Sequence, residues 1–218
     1  MYFELDPDSG LLEEVGTPRT VTYDISSIDL GVVPDGTMRS NFLAVGSFGN
    51  SVRILSLQPK TLYLELTTLS LLHTVSDVML VSPRSLYIGQ NNGVLVRADL
   101  NETSGKIIDT KKRVIGGTPV SLFRVSPQDD EESTTRVLAV SSRSWLCYRN
   151  QGRFHMTPLK YQRLTCAASF RSQQCESNGI TAISNRKLRI LTFESLDEMF
   201  HHTTVSTSPP FFFFLTLQ

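Results

Sequence analysis

Enzyme chemistry needs a nucleophile, an acid–base pair or a ligand set at fixed spacing, and this chain of 218 residues offers little of it. Its histidines are His73, His155, His201 and His202, and its cysteines are Cys147, Cys166 and Cys175. His155 with Cys147 or Cys166 would suit a thiol nucleophile or part of a metal site, but no third ligand stands at a workable spacing. The cysteine separations of 19 and 9 residues match no metal knuckle. His155 therefore reads as a structural or surface residue, and His201-His202 as able at most to bind metal adventitiously. The acidic groups Glu13-Glu14 and DDEE (129–132) lie in polar sequence with no apolar setting to shift a pKa. No G-x-S-x-G, P-loop, G-x-G-x-x-G or H-E-x-x-H motif is present. GQNNG (89–93) precedes another apolar run and no helix, so it is a turn and not a phosphate cradle. The residues predict a protein that is not an enzyme, with no catalytic, cofactor-binding or metal site and no cofactor.

Binding signals are also sparse. Lys106, Lys111, Lys112 and Arg113 form the most basic local patch. It reads as a solvated strand edge guarded by lysines before it reads as an RNA contact. Lys+Arg and Asp+Glu both number 21, so the basic excess that phosphate-led nucleic-acid binding requires is missing. Trp145 is the single tryptophan and reads as a core residue, with a partner-facing anchor as the alternative. Asn101 begins a glycosylation sequon. The first residues, MYFELDPDSG, lack an apolar leader, so the sequon reads as unused. No run approaches the ~18–20 apolar residues of a membrane helix, which predicts no membrane partner. An odd cysteine count without close pairs argues against a disulfide framework and fits a reducing compartment.

The elements that carry these residues repeat. LAVGSFGNSVRILSL (43–57), LYIGQNNGVLVRADL (86–100), LAVSSRSWLCYR (138–149) and TAISNRKLRILTF (181–193) share one plan. Each is an apolar run, a small residue, a polar turn and a second apolar run that usually carries an Arg. The small residue falls at Gly46, Gly89, Ser141 and Ser184, at intervals of 43, 52 and 43 residues. A period of roughly 40–50 residues built of strand hairpins marks a β-propeller. GNS (49–51), QNNG (90–93) and SNRK (184–187) supply turn residues that tolerate positive φ. Gly46 and Gly89 stand where a side chain would crowd a neighbouring strand. The longer interval comes from SPQDDEESTTR (126–136), an acidic loop whose removal by about nine residues restores the period. YFELDPDSGLLEE (2–14) resembles VRADLNETSGKIID (96–109), so residues 2–5 correspond to the second strand of a hairpin whose first strand is missing. The fold class is all-β: a partial propeller of about four blades, WD40-like without the Trp-Asp signature, built from antiparallel sheets. Residues 1–204 are assigned to blades and 205–218 to a non-domain tail. STSPPFFFFLTLQ (206–218) shows no strand alternation and reads as translated intron on a fragment.

Five blocks make the resemblance specific. They are NFLAVGSFGNSVRILSLQP (41–59), YIGQNNGVLVRADL (87–100), GGTPVSLFRV (116–125), SSRSWLCYRNQGRFHMTPLKYQRLTCAASF (141–170) and GITAISNRKLRILTFESL (179–196). In this order they resemble the propeller family that holds splicing factor 3b subunit 3. The family also holds the large subunits of the damage-specific DNA-binding protein and of the cleavage and polyadenylation specificity factor. The resemblance is nearest the splicing branch and implies an internal piece of the second of three propellers, reaching toward the third. It further implies a nuclear, non-enzymatic scaffold of the spliceosome, in the SF3b complex of the U2 small nuclear ribonucleoprotein, acting in branch-site recognition. The implied partners are a large HEAT-repeat subunit and a small companion subunit, with pre-mRNA and snRNA touched at most indirectly and no small-molecule substrate. The two rival branches imply a cullin ubiquitin-ligase adaptor or a 3′-end processing factor. The acidic loop, residues 71–83 and the tail depart from the family pattern. The resemblance assigns no partner-contact residues.

Overall fold

The structure is a computed structural model that describes residues 3–6, 9–17, 20, 23–34, 36–37, 39–125, 136–150, 153–170, 179–193, 202–205 and 214–217. All its extended elements are strands. A short pair, β1 (Phe3–Leu5) and β2 (Leu12–Glu14), comes first. Three four-stranded antiparallel meanders follow. Sheet I holds β3 (Ile25–Leu30), β4 (Phe42–Ser47), β5 (Ser51–Ser56) and β6 (Glu65–Ser70). Sheet II holds β7 (Val75–Ser82), β8 (Ser85–Gln90), β9 (Val94–Leu100) and β10 (Ile107–Val114). Sheet III holds β11 (Ser121–Arg124), β12 (Val137–Val140), β13 (Ser144–Asn150) and β14 (Arg153–Pro158). Sheet IV begins the same way with β15 (Cys166–Phe170), β16 (Gly179–Ser184) and β17 (Lys187–Phe193). This is the expected partial propeller, and each repeated hairpin forms the two middle strands of a sheet.

The hairpins close where the sequence placed positive φ. Asn50 has φ 58°, Gly93 φ 82°, and Asn185 and Arg186 have φ 49° and 63°. Two successive positive values are what a type I′ turn needs to match strand twist.

Sheets II and III are covered on both faces because successive sheets stack face to face, while the second face of sheet I packs Leu43 and Val45 against Leu57 and Tyr63 of the segment between β5 and β6. Ala44 and Ile54 of sheet I meet Val78, Leu80, Ile88 and Val96 of sheet II. Tyr87 and Leu95, on the other face of sheet II, meet Leu122, Ala139 and Cys147 of sheet III. Leu146 and Tyr148 of sheet III meet Ile180, Ala182 and Leu191 of sheet IV. The middle strands β4, β8 and β12 are buried along their whole length, so they read as continuous apolar runs and not as alternating ones. Each fully buried aliphatic side chain contributes ~1.5–3 kcal/mol. Exposed ion pairs such as Arg84–Glu102 (2.7 Å) contribute ~0–1 kcal/mol. Sheet stacking therefore holds the fold.

The small residue of the repeat lies where one sheet meets the next. A Cβ on Gly89 would sit 2.5 Å from the carbonyl oxygen of Val120, which leads into β11. A Cβ on Gly46 would sit 2.7 Å from Val75 Cγ1, at the start of β7. Opposite both glycines the inner strand breaks register, between Ile25 and Ser27 and between Val75 and Asp77. The bulge swings the strand toward the next sheet, and the missing side chain makes room for it. Ser141 and Ser184 hold the position with fully buried hydroxymethyl groups. The Ser141 hydroxyl donates to the Thr118 carbonyl at 2.5 Å.

One expectation fails in the tail, where no strand was foreseen beyond Thr204. The structure adds β18 (His202–Val205) and β19 (Phe214–Leu217) to sheet IV, in the order β15-β16-β17-β19-β18. β19 runs parallel to β17, where sheets I to III place an antiparallel fourth strand. The physical reason is β-propensity. Phe, Leu and Thr suit a pleated edge even without alternating polarity, and the edge of β17 offers unpaired backbone groups.

Gly89→Ala should destabilise the chain by ~2–3 kcal/mol, because the clash is with backbone. Gly117→Ala, whose added Cβ meets no atom within 4 Å, should change stability by less than ~0.5 kcal/mol. Urea unfolding of the two variants measures the contrast.

Candidate functional site

The inner strands β3, β7, β11 and β15 stand side by side and carry a polar network. Asp29 on β3 accepts the Leu80 amide of β7 at 2.6 Å and the Arg124 guanidinium of β11 at 3.0 Å. Arg124 also donates to the Leu80 carbonyl at 3.0 Å. Asp77 on β7 accepts the Ser27 hydroxyl of β3 at 2.9 Å and the Leu122 amide of β11 at 2.8 Å. The Ser169 hydroxyl of β15 reaches the Arg124 carbonyl at 3.2 Å. Burial, above all, raises the Asp29 carboxyl above the usual carboxylate value, while the Leu80 amide and Arg124 pull it back. These carboxylates take hydrogen bonds from neighbouring sheets, many from main chain. They tie sheet to sheet.

The thiol–imidazole pairing considered from the sequence is not formed. On adjacent strands β13 and β14, Cys147 pairs with Met156 while His155 pairs with Tyr148, so strand alternation sends the two groups to opposite faces. Burial pushes the Cys147 thiol up to about 12, which keeps it protonated and inert. His155 stacks on Tyr148 with ring centroids 5.3 Å apart. Cys166 is exposed. His73 is exposed between β6 and β7, and Glu13 and Glu14 are exposed on β2. Cys175, His201, the side chain of His202 and residues 129–132 lie outside the described residues. Among the described residues no group of three His, Cys, Asp or Glu side chains is placed to hold a metal. The Asn101 side chain accepts the amides of Thr103 (3.0 Å) and Ser104 (2.9 Å), so it shapes its own turn.

The basic patch lies at an outer groove between sheets II and III. Lys111 and Arg113 on β10 pair with Arg97 and Leu95 on β9 and share their face. Across from them are Phe154 and Met156 of β14. The Arg97 guanidinium lies 4.4 Å from the Phe154 ring centre, and that of Arg113 lies 5.0 Å from Trp145. The Trp145 indole donates to the Ile115 carbonyl at 2.8 Å. Trp145 thus closes the edge of the core between the two sheets, in line with the reading of it as a packing residue. Sequence reasoning did not bring Arg97, Phe154 and Met156 to this patch. The one available signal was the Arg that recurs in the second run of each repeat.

Known proteins place the chain in a family. The family model described as the RSE1/DDB1/CPSF1 second beta-propeller matches residues 1–193. The chain belongs to this propeller family. Within the family it is 41% identical to splicing factor 3B subunit 3 of Danio rerio, over 92% of this chain and 17% of that protein. It is 34% identical to spliceosome-associated protein 130 A of Arabidopsis thaliana, over 94% of this chain and 18% of that one. It is also 34% identical to the pre-mRNA-splicing factor prp12 of Schizosaccharomyces pombe, over 91% of this chain and 17% of the relative. The chain thus spans about a sixth of the length of these relatives.

The two described cysteines should separate by reactivity. Cys166 should alkylate within minutes under native conditions, whereas Cys147 should react only after unfolding. Mass spectrometry of iodoacetamide-treated protein, native against urea-unfolded, reads the difference.

Proposed function

We propose that the chain serves as part of a scaffold in pre-mRNA splicing, contributing sheet surfaces and no catalysis. The observation that carries this reading is the 41% identity to a splicing subunit across almost the whole chain. The stacked sheets support it, since their carboxylates and buried thiol are spent on holding sheets together. In this reading residues 1–204 are blades of the second propeller of a larger protein, and 205–218 lie outside it even though β19 pairs with the edge of β17. The partners are protein subunits of the SF3b complex, namely the large HEAT-repeat subunit and the small companion. RNA is met only through them, and the compartment is the nucleus.

A second reading follows from the family model, whose name spans splicing, DNA-damage-binding and cleavage/polyadenylation members. Affinity purification of the epitope-tagged full-length protein from nuclear extract separates the readings. The splicing reading expects the HEAT-repeat subunit and U2 small nuclear RNA in the eluate. Recovery of a cullin, or of cleavage and polyadenylation subunits without splicing subunits, would overturn it.

A further inference from the structure

The groove between sheets II and III has features that stacking does not require. Its floor is apolar, made by Leu95, Phe154 and Met156, and its cavity measures about 150 Å³. An apolar cavity of ~150 Å³ takes a benzene-sized group, so one Phe or Leu side chain fits. Around that floor stand Arg97, Lys111, Lys112 and Arg113, with Arg149 beside Phe154 on the paired strand, against two carboxylates, Asp99 and Asp109. Asp99 is shared by Arg97 (3.3 Å) and Arg149 (3.8 Å), and Asp109 lies 3.7 Å from Lys111. Arg113 has no carboxylate partner among the described residues, and Arg97 keeps its Nε–H without an acceptor. Positive charge is therefore in local excess on a chain whose overall charge is zero.

We propose that this groove is a docking site for an acidic peptide segment of a partner protein, with one aromatic or aliphatic side chain seated on Leu95, Phe154 and Met156. Carboxylates flanking that anchor meet Lys111 and Arg113 on one wall and Arg149 on the other. Charge complementarity selects the acidic partner, and the floor supplies the anchor that charge alone lacks. RNA fits less well. Single-strand binding stacks bases on open aromatic faces, but here Arg97 covers Phe154 and Arg113 covers Trp145. Asp99 and Asp109 would also repel a phosphate chain. The proposal concerns this groove alone and does not depend on the splicing reading.

The lining of the groove supplies the test. Lys111 pairs with Arg97 and lines the groove, whereas Lys60, between β5 and β6, is not among its lining residues. Both are exposed, so charge reversal at either leaves the fold intact. Binding of a short fluorescein-labelled peptide of Glu and Asp around one Phe is followed by anisotropy, using the full chain. The peptide should bind, and Lys111→Glu should weaken it roughly tenfold, while Lys60→Glu weakens it less than about twofold. Replacing the peptide's Phe by Gly should also weaken binding roughly tenfold. Four results would overturn the proposal: no binding, equal loss in the two lysine variants, indifference to the Phe, or tighter binding of an oligouridylate of matching length.

Discussion

Neighbouring sheets approach each other so closely at the end of β4 and of β8 that only hydrogen fits there. The Gly89 site leaves 2.5 Å between a Cβ and the Val120 carbonyl, and the Gly46 site leaves 2.7 Å to Val75. Much else follows from that approach. It brings the inner strands near enough for Asp29 and Asp77 to take amides from the next sheet. It also lets sheets II and III bury apolar side chains on both faces, which accounts for the uniform burial of β8 and β12, while β4 buries its second face under Leu57 and Tyr63. The repeat is thus a packing rule written at a fixed spacing. At the matching position of sheet III, Ser141 turns its hydroxyl back onto Thr118, which leads into its own sheet, and stays fully buried.

The same constraint shapes what the protein can do. Asp29 and Asp77 of the inner strands are engaged with neighbouring sheets, and Cys147 is sealed as a thiol between sheets II and III. What stays open is the rim, where the outer strands β6, β10 and β14 are largely exposed. Arg97 and Arg113 rest on aromatic rings there, which gives the rim fixed charges over an apolar floor. Charges fixed over an apolar floor suit recognition of other proteins.

The architecture was legible because its determinants are local. Apolar runs and a small residue recur at 43 to 52 residues, with a positive-φ turn in three of the four repeats, and each hairpin formed where these signals stood. The tail was not legible. PPFFFFLTLQ has no alternation to mark a strand, and β19 forms by pairing with the edge of β17, a long-range choice that no local pattern records. The candidate groove was half legible. Lys111 and Arg113 stood out as basic residues, but Phe154 and Met156 lie some 40 residues away and reach them only through sheet stacking. The failed pairing of Cys147 with His155 has the same origin. Proximity in sequence said nothing of faces until the β13–β14 register was fixed.

The central claim is that sheets II and III are held as one unit by the contact at Gly89 and by the Asp77–Leu122 bond. Native-state hydrogen exchange of the chain tests it most directly. The account predicts that the Leu122 amide, which no strand partner protects but Asp77 does, exchanges with the same opening free energy as Ile88 and Val96 within sheet II. Exchange of Leu122 at the rate of an exposed loop, with sheet II still protected, would contradict it.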